Sequence, residues 1–221
     1  MSEEELEHHL GLANFILTSE DDEPTLLQTK GSGMTAETVD HTAHTLPVED
    51  QGMCGSCWAF AGNTVLMGTM SAMGGDKVRL SNQYAVDCGP SDSAMHGCNG
   101  GNTKGMWDWY KTTGVVNDDD YPYTSGGHGM AGECQDGHST RSIVRQTRVL
   151  NTEDEVLEAL QTQPLVGHFR VVPLIFSFYA FGMIRPNDDN CWDGMPPNHS
   201  MAIVGVDLVG EGQTVEVERN V

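Results

Sequence analysis

The chain has 221 residues, 32 of them acidic and 11 basic, giving a formal net charge of −21. That length allows one large domain or two small lobes and can bury a core without staples. So large an acidic excess argues against a nucleic-acid binder and against a membrane-surface protein, because both need a basic face. The longest apolar stretch, 171–184, holds 14 residues interrupted by Pro173 and Ser177, too few to span a bilayer. The 26 glycines point to tight turns and long loops rather than a helical bundle.

Met1-Ser2-Glu3-Glu4-Glu5 has neither the basic start nor the apolar run of a secretory signal. Residues 1–29 carry eight acids and no Lys or Arg, which reads as a solvated acidic tail, and Gly31-Ser32-Gly33 as a flexible joint. Apolar residues at helical spacing (Trp58, Val65, Leu66, Met70, Met73) predict a helix over 56–73, stopped by Gly74-Gly75. A short helix follows from a Ser81 or Asn82 cap towards Cys88. A third covers 104–112, with Trp107 and Tyr110 on one face. Crowded carboxylates at Asp118-Asp119-Asp120 and Asp188-Asp189 should hold their protons more tightly than isolated ones. Thr152-Glu153-Asp154-Glu155 fits a capping box opening a helix through Leu160. Strand patterns occupy 142–149, 165–172, 202–208 and 214–217. Helices early and strands late make an α+β chain with two lobes.

The six cysteines are Cys54, Cys57, Cys88, Cys98, Cys134 and Cys191. Cys54-Gly55-Ser56-Cys57 admits three readings. A redox C-x-x-C should follow a βαβ-type strand, and none precedes Gln51-Gly52-Met53. A zinc site needs a second close pair, whereas Cys88 and Cys98 stand ten apart. The third reading makes one cysteine a nucleophile and the other half of a disulfide.

The run Cys54-Gly55-Ser56-Cys57-Trp58 is the local signature of papain and cathepsin nucleophiles. Further along, Leu80-Ser81-Asn82-Gln83 with Val86-Asp87-Cys88, Gly97-Cys98-Asn99-Gly100-Gly101, Tyr121-Pro122-Tyr123 and Asn198-His199-Ser200 follow in the order of the same family. From about Val39 onward the chain therefore resembles the papain-like cysteine proteases, cathepsin-L-like in type.

The resemblance implies a two-lobed papain-like fold, with a helical first lobe and an antiparallel β-barrel-like second one whose last strands are missing. Residues 34–140 would form the helical lobe and 141–221 the β-rich lobe. Leu10–Phe15 resembles the end of a family propeptide, which would make residues 1–33 a propeptide remnant. Cys57 would be the nucleophile, as a thiolate with its pKa well below 8.5 at a helix N-terminus. His199, 142 residues on, would be the imidazole partner, with Asn220 orienting it. Gln51 would supply its side-chain amide to the oxyanion hole. Gly100 and Gly101 would line the substrate backbone, and Asn102, Thr103, Pro197 and Ser200 the specificity pocket.

Disulfides Cys54–Cys98 and Cys88–Cys134 are implied as well, leaving Cys191 over and requiring an oxidising compartment. That compartment would be lysosome- or vacuole-like, or extracellular. Asn198-His199-Ser200 is also a glycosylation sequon, expected to stay unmodified inside the cleft. The partners implied are peptide or protein substrates, the chain's own propeptide and cystatin-like inhibitors, with no cofactor and no metal. A second class of function is a catalytically inactive homologue or fragment with a binding role.

Overall fold

The computed structural model describes residues 38–171, 196–209 and 212–218. The propeptide-like stretch, Asp188-Asp189, Cys191 and Asn220 lie outside the described residues.

The apolar run expected to be helical forms α1 (Cys57–Ala72). Its residues are apolar on nearly every side, so it has no face to give to water and sits in the interior. Trp58, Ala59, Phe60 and Ala61 are fully buried. Helix α2 (Asn82–Cys88) starts where the Ser81 side chain accepts the Tyr84 N–H, the N-cap its sequence promises. Asn63 of α1 donates to Ser81 O and Asn82 Oδ1, which ties the two helices together.

Helix α3 (Thr103–Thr113) crosses α1 at Gly62, where a Cβ would come within 2.7 Å of Thr103 Cγ2. The Asn102 side chain caps α3 by accepting from Gly105 N–H. Helix α4 (Glu153–Leu160) is opened by Thr152, whose hydroxyl accepts from Glu155 N–H. Glu155 returns the bond to the backbone N–H groups of Asn151 and Thr152, so the capping box is present and widened by one residue.

The described sheet has four antiparallel strands: β1 (Val39–Asp40), β2 (Leu165–Phe169), β3 (His199–Val209) and β4 (Gly212–Glu218). Every other strand pairs with β3. The β2–β3 register runs from Leu165 opposite Ile203 to Phe169 opposite His199, and it sets His168 opposite Ser200. Val65 of α1 packs on Ala202 and Val204 of β3, so the buried helix lies directly against the central strand.

The strand expected over 142–149 does not form. Among the described residues it pairs with no strand of the sheet, and the ladder contact nearby is a single bridge between Val115 and Arg141. Extended backbone there is held by side chains instead. Val144 enters the core, and the Thr147 hydroxyl donates to Asp108 Oδ1 of α3 at 2.8 Å and accepts from Lys111 Nζ at 2.8 Å. Strand propensity describes a fit to a half-buried surface, and here helix α3 supplies that surface.

Asp108 is the centre of this attachment, with Lys104 and Lys111 each 2.5 Å away. Burial by itself would raise its carboxyl, but the hydrogen bonds from Lys104, Lys111 and Thr147 outweigh it and hold the group well below the usual carboxylate range. Asp118 behaves oppositely: burial is the main cause that raises it, the Arg79 charge opposes that rise, and the neighbouring Asp119 adds a smaller part.

Two outcomes follow from this packing. A depressed folded pKa contributes stability that is present above the unfolded carboxylate value of about 3.9 and lost as pH falls through the folded pKa. Asp108→Asn should therefore lower the melting temperature at pH 7, and the gap from the parent should shrink as the pH is taken from 4 towards 2. Glycine-to-alanine changes in helices usually stabilise by about 1 kcal/mol. At Gly105 a Cβ would stand 2.1 Å from the Ser93 carbonyl oxygen. Gly105→Ala should instead destabilise, by roughly 1–3 kcal/mol, in urea unfolding.

Candidate active site

The segment before α1 is held from two sides. Cys54 is bridged to Cys98, and Gly55 N–H donates to Cys98 O at 3.0 Å, so 54–55 lies along 98–99. Cys88 is bridged to Cys134. Both pairings are those implied by the resemblance, and among the described residues they leave Cys57 outside a disulfide. With Cys54 joined to Cys98, the redox and zinc readings of the C-x-x-C lose their second ligand. Among the described residues no cluster of three His, Cys, Asp or Glu side chains could hold a metal ion.

Gln51 is buried, and its Nε2 donates to Cys54 O at 2.9 Å. The Tyr123 hydroxyl fixes the same loop. It donates to Gln51 O at 2.8 Å and shares a 2.8 Å hydrogen bond with Ser56 Oγ, while the ring meets Phe60 edge-on. Ser56 precedes α1 but spends its hydroxyl on Tyr123 rather than on a helix cap. Gly52 has φ +62°, and a Cβ there would overlap the Gly126 backbone, so this turn accepts only glycine.

Cys57 is the first residue of α1, where backbone N–H groups have no partner inside the helix. Donor groups of Trp58 and Ser200 near the sulfur favour its anion. Burial nevertheless dominates and pushes the thiol up to about 11. The sequence alone suggests a value well below 8.5; the difference is desolvation, which the motif does not reveal. A thiolate in this closed setting needs a compensating positive charge beside it.

The opposing wall is the start of β3. His199 and Ser200 are buried, and Ser200 lies near enough to weigh on the Cys57 thiol, which brings the histidine-bearing end of β3 to the helix N-terminus. Asn198 is buried just before them. Its Oδ1 accepts from Val171 N–H at 2.7 Å and its Nδ2 donates to Val171 O at 3.0 Å, joining β3's start to the end of β2. A side chain so used has no room for a glycan. Pro197, next in line, is exposed.

Gly100 has φ +93° and its carbonyl accepts from His96 N–H, as a tight turn requires. A Cβ on Gly101 would stand 2.4 Å from the Trp58 ring, so that glycine is needed to seat the tryptophan behind Cys57. Asn102 is occupied as the α3 cap, and Thr103 is buried with its hydroxyl donating to Trp58 O at 2.9 Å. Two contributors escape sequence reasoning. Tyr123 appears there only as part of a motif, and His168 appears only as a residue of a predicted strand. In the fold His168 Nδ1 lies 2.9 Å from Ser200 Oγ, a contact that depends on the β2–β3 register.

Comparison with known proteins matches residues 35–216 to the family described as papain family cysteine protease. The chain is 33% identical over 163 residues to a cathepsin L-like proteinase of Phaedon cochleariae, covering 72% of this chain and 48% of that protein. It is 30% identical over 177 residues to the thiol protease SEN102 of Hemerocallis, covering 78% of this chain and 46% of that one. The chain thus spans about half the length of the curated relatives it matches. A structure from work on the mite allergens Blo t 1 and Der p 1 superposes with a TM-score of 0.77 at 23% identity, covering 100% of this chain and 73% of that one. Digestive procathepsin L 3 of Tenebrio molitor larval midgut gives a TM-score of 0.68 at 22% identity, covering 89% and 63%. These likenesses establish the papain-like α+β fold, and with the match over 35–216 the chain belongs to the papain family of cysteine proteases.

Proposed function

We propose that the protein is a cysteine-type endopeptidase that hydrolyses peptide bonds through an acyl-enzyme. The observation that carries this reading is the Cys57 sulfur at the first turn of α1, where donor groups of Trp58 and Ser200 favour its anion, with the His199 end of β3 beside it. In the proposed mechanism the Cys57 proton passes to His199, and the imidazolium supplies the positive charge that burial of the thiolate requires. The thiolate attacks the scissile carbonyl. The resulting oxyanion is held by the Cys57 backbone N–H and the Gln51 side-chain amide, whose position is set by Cys54 O. His199 then protonates the leaving amine, and water, deprotonated by the same imidazole, releases the acyl group.

Asn220 is assigned to orient the imidazole. Gly100 and Gly101 would pair with an extended substrate backbone, and exposed Pro197 would border the pocket for its side chain. Residues 1–33 are assigned as a propeptide remnant, 34–140 and 141–221 as the two lobes, and the chain's own propeptide and cystatin-like inhibitors as partners beside peptide or protein substrates. The two disulfides favour an oxidising setting, either a lysosome- or vacuole-like compartment or the extracellular space. No helix among the described residues is long and apolar enough to cross a membrane.

Hydrolysis of a fluorogenic peptide tests the reading. Cys57→Ala should abolish turnover, and His199→Ala should lower kcat/KM by roughly a thousandfold or more. Persistence of hydrolysis in Cys57→Ala would remove Cys57 from its role. Gln51→Ala should lower kcat by about a hundredfold with KM little changed, since the amide acts on the oxyanion and not on the bound substrate. An equal rise in KM with kcat intact would instead make Gln51 a binding group.

A further inference from the structure

Two motifs of the sequence, Leu80-Ser81-Asn82-Gln83 and Tyr121-Pro122-Tyr123, have no task in the mechanism above, and the fold joins them behind Gln51. The Tyr123 hydroxyl lies 2.8 Å from Gln51 O and 2.8 Å from Ser56 Oγ. Its one proton goes to the carbonyl, because a carbonyl can only accept. Ser56 must therefore donate in the other bond, the shorter of its hydroxyl contacts, with Cys54 O 3.4 Å away. The residues so joined carry the two donors of the proposed oxyanion hole. Gln51 holds one on its side chain, and the Ser56–Cys57 peptide supplies the other as the Cys57 N–H. We propose that Tyr123 is a positioning residue for oxyanion stabilisation, its hydroxyl bridging Gln51 O and Ser56 Oγ so that the two donors keep a fixed separation. It acts through Gln51 and Ser56 and not on the substrate. The inference rests on the endopeptidase reading and, within it, on Gln51 as an oxyanion donor.

Tyr123 is itself held from behind. Gln83, buried on α2, uses every hydrogen-bonding position of its amide. Its Oε1 accepts from Thr124 N–H at 2.8 Å and Ser125 N–H at 3.0 Å, and its Nε2 donates to Ser125 Oγ and Asp87 Oδ1, each at 2.7 Å. The chain just after Tyr123 is thereby fastened to α2. It then meets the Gln51 turn backbone to backbone: Met53 N–H donates to Gly126 O at 2.8 Å, and a Cβ on Gly126 would stand 3.1 Å from Gln51 O. The Tyr123 ring stands edge-on to Phe60 of α1 with centroids 4.9 Å apart, so ring and loop together aim the hydroxyl. Burial pushes Tyr123 up to about 12, and the hydroxyl keeps its proton at neutral and acidic pH. Placement matters here because a displacement of about 1 Å can lower an enzymatic rate by about a hundredfold.

The test is steady-state hydrolysis of a fluorogenic peptide by the 221-residue chain with its disulfides intact, with active sites counted by iodoacetamide labelling of Cys57. Tyr123→Phe keeps the ring against Phe60 and loses the bridge. It should lower kcat per labelled site about tenfold with KM within about twofold, since the oxyanion exists only after attack. In a Gln51→Ala background the same change should lower kcat by about threefold or less, because one donor alone has no separation to keep. An unchanged kcat, a rise in KM with kcat intact, or an undiminished tenfold loss in the Gln51→Ala background overturns the positioning role. So does a loss confined to the number of labelled sites, which is what a merely structural tyrosine would give. Should Tyr123→Phe fail to fold, as judged by near-UV circular dichroism, Ser56→Ala decides. It removes the other end of the bridge and should lower kcat roughly threefold, and no change overturns the role. Absence of Cys57-dependent turnover, or a parental kcat in Gln51→Ala, overturns the underlying reading together with the positioning role. Cys57-dependent turnover that falls in Gln51→Ala but not in Tyr123→Phe overturns the positioning role alone.

Discussion

Burial of most of α1, from Cys57 to Gly68, is the constraint on which the rest of the structure depends. A helix without a polar face must be covered on all sides, and α3, α2 and the central strand β3 each take a share. Close approach to α3 requires glycine at position 62, and the core behind Trp58 requires glycine at 101. Cys57 inherits that burial because it is the first residue of the helix. Its thiol is consequently hard to ionise, and every donor within reach of the sulfur has a function that it would lack at an exposed site.

The same burial explains why the loop before α1 is so heavily tied. A disulfide to Cys98, a backbone bond from Gly55, the Gln51 amide on Cys54 O and the Tyr123 hydroxyl on Gln51 O converge on six residues. Loops ordinarily tolerate motion, but a side chain meant to meet a developing charge must be placed to within about half an ångström. These ties supply that placement from the helical part of the chain, while β3 brings His199 from the sheet. The two halves of the candidate chemistry thus come from elements of different kinds, joined where α1 lies on β3.

The segment over 142–149 shows how far local pattern can mislead. Its β-branched and apolar residues satisfy a strand template, yet Val144 and Thr147 find their partners on the helical side. A ladder needs a neighbouring strand with free backbone groups, and the surface this segment meets is a helix. Asp108, Lys104 and Lys111 make that helix an attachment point through charge, an outcome that a count of apolar residues does not register.

By itself the sequence determined a helix start at Ser81 or Asn82 and another at Thr152, the pairing of four cysteines through a family pattern, and the choice of Cys57 and His199 as the candidate reactive pair. Each of these is written in residues that lie close together or in a motif of fixed spacing, so local stereochemistry and pattern suffice. Only the tertiary structure decided that Thr103 is a buried donor to Trp58, that Tyr123 holds Gln51, and that the thiol starts from a raised pKa. It also decided that His168 stands behind Ser200. A one-residue change of register between β2 and β3 would turn His168 to the other face of the sheet, and register is set by what the whole strand buries rather than by any residue in it.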